Sequence, residues 1–204
     1  LNGGAHASNN VEIQEFMIVP IGVSSFADAL RIGSEIYHTL GDILKSRGLS
    51  VSVGDEGGYA PNLESDAMAV EYIIEAIEKS GYSTDEVKIA LDVASSEWFI
   101  EQSGVYEMPK RRIKQSREEL MTYYSDLLGK YPIISIEDPL DQRDFEGWAE
   151  LTRLQGERCM LVGDDLFVTN PKRFMQGISG RAANAILVKP NQIGTLSEVM
   201  EVTD

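Results

Sequence analysis

The chain has 204 residues, 43% of them hydrophobic and 25% charged, which is enough apolar material for one globular core. With 18 basic and 33 acidic residues the net charge is −15, a field that repels nucleic acid and anionic membrane and leaves an anionic substrate in need of local cations. The one cysteine, Cys159, excludes an internal disulfide, suits a reducing cytoplasmic compartment, and reads as inert core within an apolar run. No apolar run approaches the roughly 20 residues of a membrane-spanning helix, and no signal-peptide pattern is present. The first residue is Leu1, in a glycine-rich turn, and the last is Asp204, inside a helical pattern. A full β/α barrel typically takes about 250 residues, so a fragment is expected.

Taken in order, residues 1–10 form a turn-rich loop that holds His6, one of two histidines. Residues 11–20 (VEIQEFMIVP) alternate as a strand does, with Gln14 and Glu15 among the apolar positions and Glu15 a candidate to face inward. Residues 24–47 carry a helical stripe of Phe26, Leu30, Gly33, Ile36, Tyr37, Leu40, Ile43 and Leu44, with Ser25-x-x-Asp28 as its start and Gly48 as its stop. His38 falls within that pattern and reads as structural. Residues 51–53 suggest a short strand leading into GDEGGYAPN, where glycines flank Asp55 and Glu56 and let the backbone approach a ligand; a solvated turn fits equally. A second helix is expected over 65–80, ended by Gly81.

Four apolar runs then follow one another: 87–91 (VKIAL), 131–136 (YPIISI), 159–163 (CMLVG) and 184–188 (NAILV). They read as buried parallel strands, and the next residues are Asp92, Glu137, Asp164 and Lys189. A helical pattern follows each, as in successive β/α units, and in a β/α barrel such positions converge on the C-terminal face. Three converging carboxylates are hard oxygen ligands for Mg²⁺, and a nearby lysine is a candidate base. An acid after a strand can equally be the N-cap of the next helix. Between these units, 96–108 suggests a hairpin, and Lys110-Arg111-Arg112 with Lys114 a solvated surface loop. Helices are expected over 116–128, opened by a Ser116-x-x-Glu119 capping box, over 145–154, and after Thr169-Asn170-Pro171; Thr195-x-x-Glu198 is a further capping box.

Read together, NGGAHASNN with IQEF, VGDEGGYAPN, LDVASSE, SIEDPL, VGDDLFVTNP and LVKPNQIGTLSE closely resemble the enolase family, in order and from end to end. The resemblance implies an α/β fold, an enolase-type β/α (TIM-like) barrel, here as a single domain over 1–204. About six of its eight strands would be present, with the first as a stub before NGG, and the N-terminal capping domain absent. It implies the glycolytic interconversion of 2-phospho-D-glycerate and phosphoenolpyruvate with Mg²⁺ as cofactor. Carried over by motif, Asp92, Glu137 and Asp164 match the metal ligands, with Glu137 and Asp164 also in the substrate-binding set. Lys189 matches the base, which also binds substrate, and Glu56 the proton donor. His6, Gln14 and Glu15 match substrate-contacting positions. The chemistry needs such types: removing a proton beside a carboxylate creates a dianion that cations must stabilise. Lys189 must be neutral to act, and cations would depress its pKa; Glu56 must be protonated, which acidic surroundings favour.

A small-molecule substrate and, for the full-length protein, a homodimer follow from the same resemblance, with association at cell surfaces or in RNA-processing complexes as further roles of the family. Two alternatives remain at this stage: another enzyme that removes an α-proton from a carboxylate, and a non-catalytic binding protein. A barrel lacking two strands has open edges, so the isolated segment is expected to be inactive or nearly so.

Overall fold

A computed structural model describes residues 1–204. Its frame is a five-stranded sheet: β1 (Glu15–Pro20), β2 (Val87–Asp92), β6 (Ile133–Glu137), β7 (Met160–Gly163) and β8 (Ala185–Ile186), lying side by side in that order. β2, β6, β7 and β8 run parallel to one another, as four apolar runs separated by helices require. At the outer edge of β1, Asn2 bridges Glu15, and Phe16 exchanges backbone hydrogen bonds with Leu1. With that stub the sheet has the six strand positions expected of a partial barrel. β1 and β8 do not pair, so the sheet is open.

β1 departs from the expected repeat: it runs antiparallel to β2, with Glu15 opposite Asp92 and Pro20 opposite Val87. The cause lies in the connection. Residues 51–53 do not form a strand; Val53 makes a single bridge to Tyr59 and is 54% exposed. Two helices, α1 (Phe26–Ser46) and α2 (Asp66–Lys79), therefore follow β1 with no strand between them. One helix returns the chain to a parallel start, whereas two packed in sequence bring it back the other way.

Helix ends follow the caps in the sequence. The Ser25 hydroxyl accepts the Asp28 N–H at 3.1 Å, and Ser65 caps α2 in the same way. The capping box is complete at the start of α3 (Arg117–Lys130), where Ser116 and Glu119 bond reciprocally. Asp144 caps α4 (Phe145–Gln155), and Asn170, with Pro171 in the first turn, caps α5 (Pro171–Gly180). A single turn, α6 (Pro190–Ile193), and α7 (Leu196–Thr203) close the chain, with Thr195 capping α7. Of the stripe foreseen on α1, Ile36, Leu40, Ile43 and Leu44 are buried, whereas Phe26 and Leu30 are 83% and 63% exposed. No helix is long and apolar enough to cross a membrane.

One contiguous core runs between the sheet and its helices, from Val11 and Ile13 through Ile89, Leu91 and Ile136 to Trp148, Leu161 and Phe167; Cys159 is buried within it. The expected hairpin is a small three-stranded antiparallel sheet of β3 (Phe99–Ile100), β4 (Val105–Met108) and β5 (Ile113–Gln115). The basic run in its last turn is not wholly solvated, as its charge had suggested. The Lys110 and Arg111 N–H groups donate to the buried Glu12 carboxylate at 2.6–3.3 Å, and Lys110 Nζ donates to Ala7 O at 3.0 Å. Acids buried with nothing else to pair with draw this turn inward.

Candidate active site

At one end of the sheet the strand termini surround a cavity of about 420 Å³. Asp92 is the last residue of β2 and lies in register with Glu137, the last residue of β6. Asp164 follows β7 directly, and Lys189 follows the short β8. Because β1 is antiparallel, its start rather than its end meets this face, which brings in Glu15, opposite Asp92, and Gln14. The turn at 54–58 adds Glu56, and the opening loop adds His6. All eight residues singled out from the sequence line this one cavity.

Charge in the cavity is lopsided: eight carboxylates face one lysine and one histidine. Burial, then the charges of Asp138 and Glu15, push Asp92 up to about 8. Burial, then the neighbouring Asp92 and Asp138, push Glu137 up to about 9. Glu15 is raised by burial and by the adjacent Glu56. Gln14 Nε2 donates to Asp92 Oδ2 at 3.0 Å and Gln192 Nε2 to Asp164 Oδ1 at 2.8 Å, while Lys189 Nζ bonds the other oxygen of Asp164. Lys189 N donates to Thr169 Oγ1 at 2.8 Å.

The three acids foreseen as a metal triad do not form one tight group by themselves. Oxygens of Asp92, Glu137 and Asp138 lie within 4.8 Å of one another, and so do those of Asp138, Asp164 and Asp165. Asp138 joins the two sets. It is 2% exposed at φ 42°, and its carboxylate accepts the N–H groups of Asp164, Asp165 and Leu166 at 3.3, 2.7 and 3.4 Å. Burial above all raises it to about 7. It thereby holds the turn that carries Asp164.

Glu56 lines the same cavity. Its Oε1 lies 2.5 Å from His6 Nδ1, and its Oε2 accepts from Asn2 Nδ2 at 2.6 Å. The glycines beside it have separate uses: Gly57 takes φ +80°, and a Cβ on Gly58 would stand 2.8 Å from the Asn2 side-chain oxygen. The turn is exposed, as a solvated turn would be, and Glu56 nonetheless lines the cavity from it.

Of the alternatives for the strand-end acids, the N-cap role is overturned: Ser116, Asp144 and Asn170 cap the helices that follow Asp92, Glu137 and Asp164. The expected depression of the Lys189 pKa needs a bound cation; with the carboxylates alone around it the balance runs the other way. Burial lowers it, but the bond to Asp164 and the fields of Glu137 and Asp92 outweigh burial and raise it. Asp138, Asn2, Gln192 and Thr169 were not foreseen. Their motifs were in view (IEDP, NGG, NQIG, VTNP), but only the turn geometry shows which polar side chain is turned inward.

The donor set fits a divalent cation. It consists of hard carboxylate oxygens, and burial and then mutual repulsion disfavour the charged forms of Asp92 and Glu137; a small hard ion relieves that repulsion. Asp92, Glu137 and Asp164 would hold it, Asp138 fixing the last of the three.

The model of the family described as enolase, C-terminal TIM barrel domain, matches residues 1–204. The chain belongs to that family.

Proposed function

We propose that this site carries out the reversible dehydration of 2-phospho-D-glycerate to phosphoenolpyruvate, with Lys189 as the base and Glu56 as the proton donor. The observation that supports this most strongly is that Lys189, paired to Asp164, and Glu56, held by His6 and Asn2, line one cavity. Lys189 Nζ takes the C2 hydrogen as a proton, the C2–H electron pair becomes the C2=C3 bond, and the C3 hydroxyl leaves as water with the proton from Glu56. Bound at Asp92, Glu137 and Asp164, Mg²⁺ would neutralise the dianion formed at C2 and cancel the anionic field that keeps Lys189 charged. Gln14 and Gln192 orient two of the carboxylates. His6 and Glu15 complete the wall where the hydroxyl departs.

Family membership is broader than one reaction, and Glu56 is what favours dehydration over another α-proton abstraction. Removing the proton needs only the base and the acid-lined pocket, whereas expelling hydroxide needs an acid on the opposite wall. The test is turnover of 2-phosphoglycerate, with Mg²⁺, by the protein as its cells make it, against a panel of other α-hydroxy and α-phospho carboxylates. Phosphoenolpyruvate as the preferred product supports the assignment. Turnover of a different carboxylate, with none of 2-phosphoglycerate, overturns it.

A further inference from the structure

Asn2 has no part in the reaction just described, yet it is 3% exposed and uses every polar atom it has. Its backbone N–H donates to Tyr59 O at 3.0 Å, and its carbonyl accepts from Asn9 Nδ2 at 2.9 Å. Its Oδ1 accepts the Gly58 N–H at 2.8 Å. That bond settles the orientation of the amide, because only the oxygen can accept it, and so Nδ2 must face Glu56. Nδ2 gives one hydrogen to Glu56 Oε2 at 2.6 Å and lies 3.4 Å from Gln14 O with the other. The loop closes on Asn2 only because its glycines lack side chains: a Cβ at Gly54 or Gly58 would stand 2.8 Å from an Asn2 side-chain atom.

In a neutral carboxyl group one oxygen carries the hydrogen and the other accepts. An N–H fixed on Oε2 makes that oxygen the acceptor. The transferable proton is then assigned to Oε1, the oxygen that His6 Nδ1 meets at 2.5 Å. We propose that Asn2 is a positioning residue that clamps Glu56 through Oε2 and so assigns the donated proton to Oε1; this rests on Glu56 being the proton donor. The Asn2 side chain acts on the second half of the reaction alone, since it bonds neither Lys189 nor the acids around it.

The test separates the two halves in the protein as its cells make it, with Mg²⁺ and 2-phosphoglycerate in deuterated water. Solvent deuterium entering C2 reports Lys189, and phosphoenolpyruvate formation reports Glu56. Asn2→Ala is expected to lose about 100-fold in dehydration, the cost of misplacing a reacting group by about 1 Å. Its KM stays within about threefold and its C2 exchange persists near the wild-type rate. Asn2→Asp keeps the acceptor for Gly58 and replaces only the donor, so it carries the same test should the alanine variant fail to fold. Equal loss of exchange and dehydration in the variants, or loss of neither, overturns the role of Asn2 alone. Absence of C2 exchange in the wild-type protein overturns the proposed reaction, and the role of Asn2 with it.

Discussion

Two groups of buried acids lie in this protein, and their neighbours separate them. Under the small sheet, the Glu12 carboxylate takes the backbone N–H groups of Lys110 and Arg111, and Asp66 Oδ1 takes those of Glu12 and Ile13 at 2.8 and 3.4 Å. Arg111 stands 3.7 Å from the second oxygen of Asp66. At the strand ends, Asp92 and Glu137 face other carboxylates across open space. Both groups are costly to bury; the first is closed by backbone N–H donors, whereas at the strand ends Gln14, Gln192 and Lys189 answer only Asp92 and Asp164, and the Glu137 carboxylate has no donor. The first holds loops together. The second is arranged for something that arrives from outside, and that difference, rather than acidity or burial, marks the site.

Substitution at one group should therefore damage chemistry and at the other stability. Lys189→Ala is expected to lower turnover by about 10²–10⁴-fold, the range for removing a general base, with the thermal midpoint hardly moved. Glu12→Gln is expected to leave turnover within about threefold. Comparable loss of activity in both variants would erase the distinction.

Glu12→Ala leaves the Lys110 and Arg111 N–H groups without an acceptor and should cost about 3 kcal/mol in urea unfolding, against about 1–3 kcal/mol for each unsatisfied buried donor. A cost under about 0.5 kcal/mol would mean that water replaces the carboxylate. At the strand ends the expectation concerns protons and Mg²⁺. The Glu137 carboxyl is raised to about 9 in the folded protein, above the ordinary carboxylate range near 4. Its contribution is then fully present below about pH 4 and is lost as pH rises toward about 9. Asp92, raised to about 8, acts in the same sense. Chelated protein should lose stability over that window. Mg²⁺ at 100 times its Kd should add about 2.7 kcal/mol, in midpoints read with and without a chelator, and more at the alkaline end, where no protons compete. A Mg²⁺ effect independent of pH would place the ion elsewhere. Last in size, Gly57→Ala should cost about 1–2 kcal/mol, because φ +80° strains any side chain while no neighbour obstructs it.

Most of the site was legible because it depends on where runs of apolar residues stop. A strand end fixes the position of the next side chain, so Asp92, Glu137, Asp164 and Lys189 could be placed together from spacing, and the resemblance added Glu56, His6, Gln14 and Glu15. Residues whose role depends on a turn were not legible. Asp138 follows Glu137 in sequence, and only its left-handed backbone turns its carboxylate under the next loop. Asn2 looks like an ordinary turn residue until Gly58 and Glu56 are seen on either side of it. The direction of β1 was missed for a different reason: a three-residue stretch cannot show whether it joins a sheet, and Val53 makes only a single bridge, to Tyr59. The inward Lys110 and Arg111 were hidden because the acids that attract them lie about 45 and 100 residues away along the chain.

The central claim is that Lys189 removes the C2 proton in a pocket completed by a cation on Asp92, Glu137 and Asp164. The most direct measurement is deuterium incorporation at C2 of 2-phosphoglycerate, by nuclear magnetic resonance, for wild type and Lys189→Ala with Mg²⁺ and with chelator. Exchange by wild type that needs Mg²⁺ and vanishes with Lys189 is the predicted result. Exchange that survives in Lys189→Ala, or that proceeds unchanged under chelation, would contradict it.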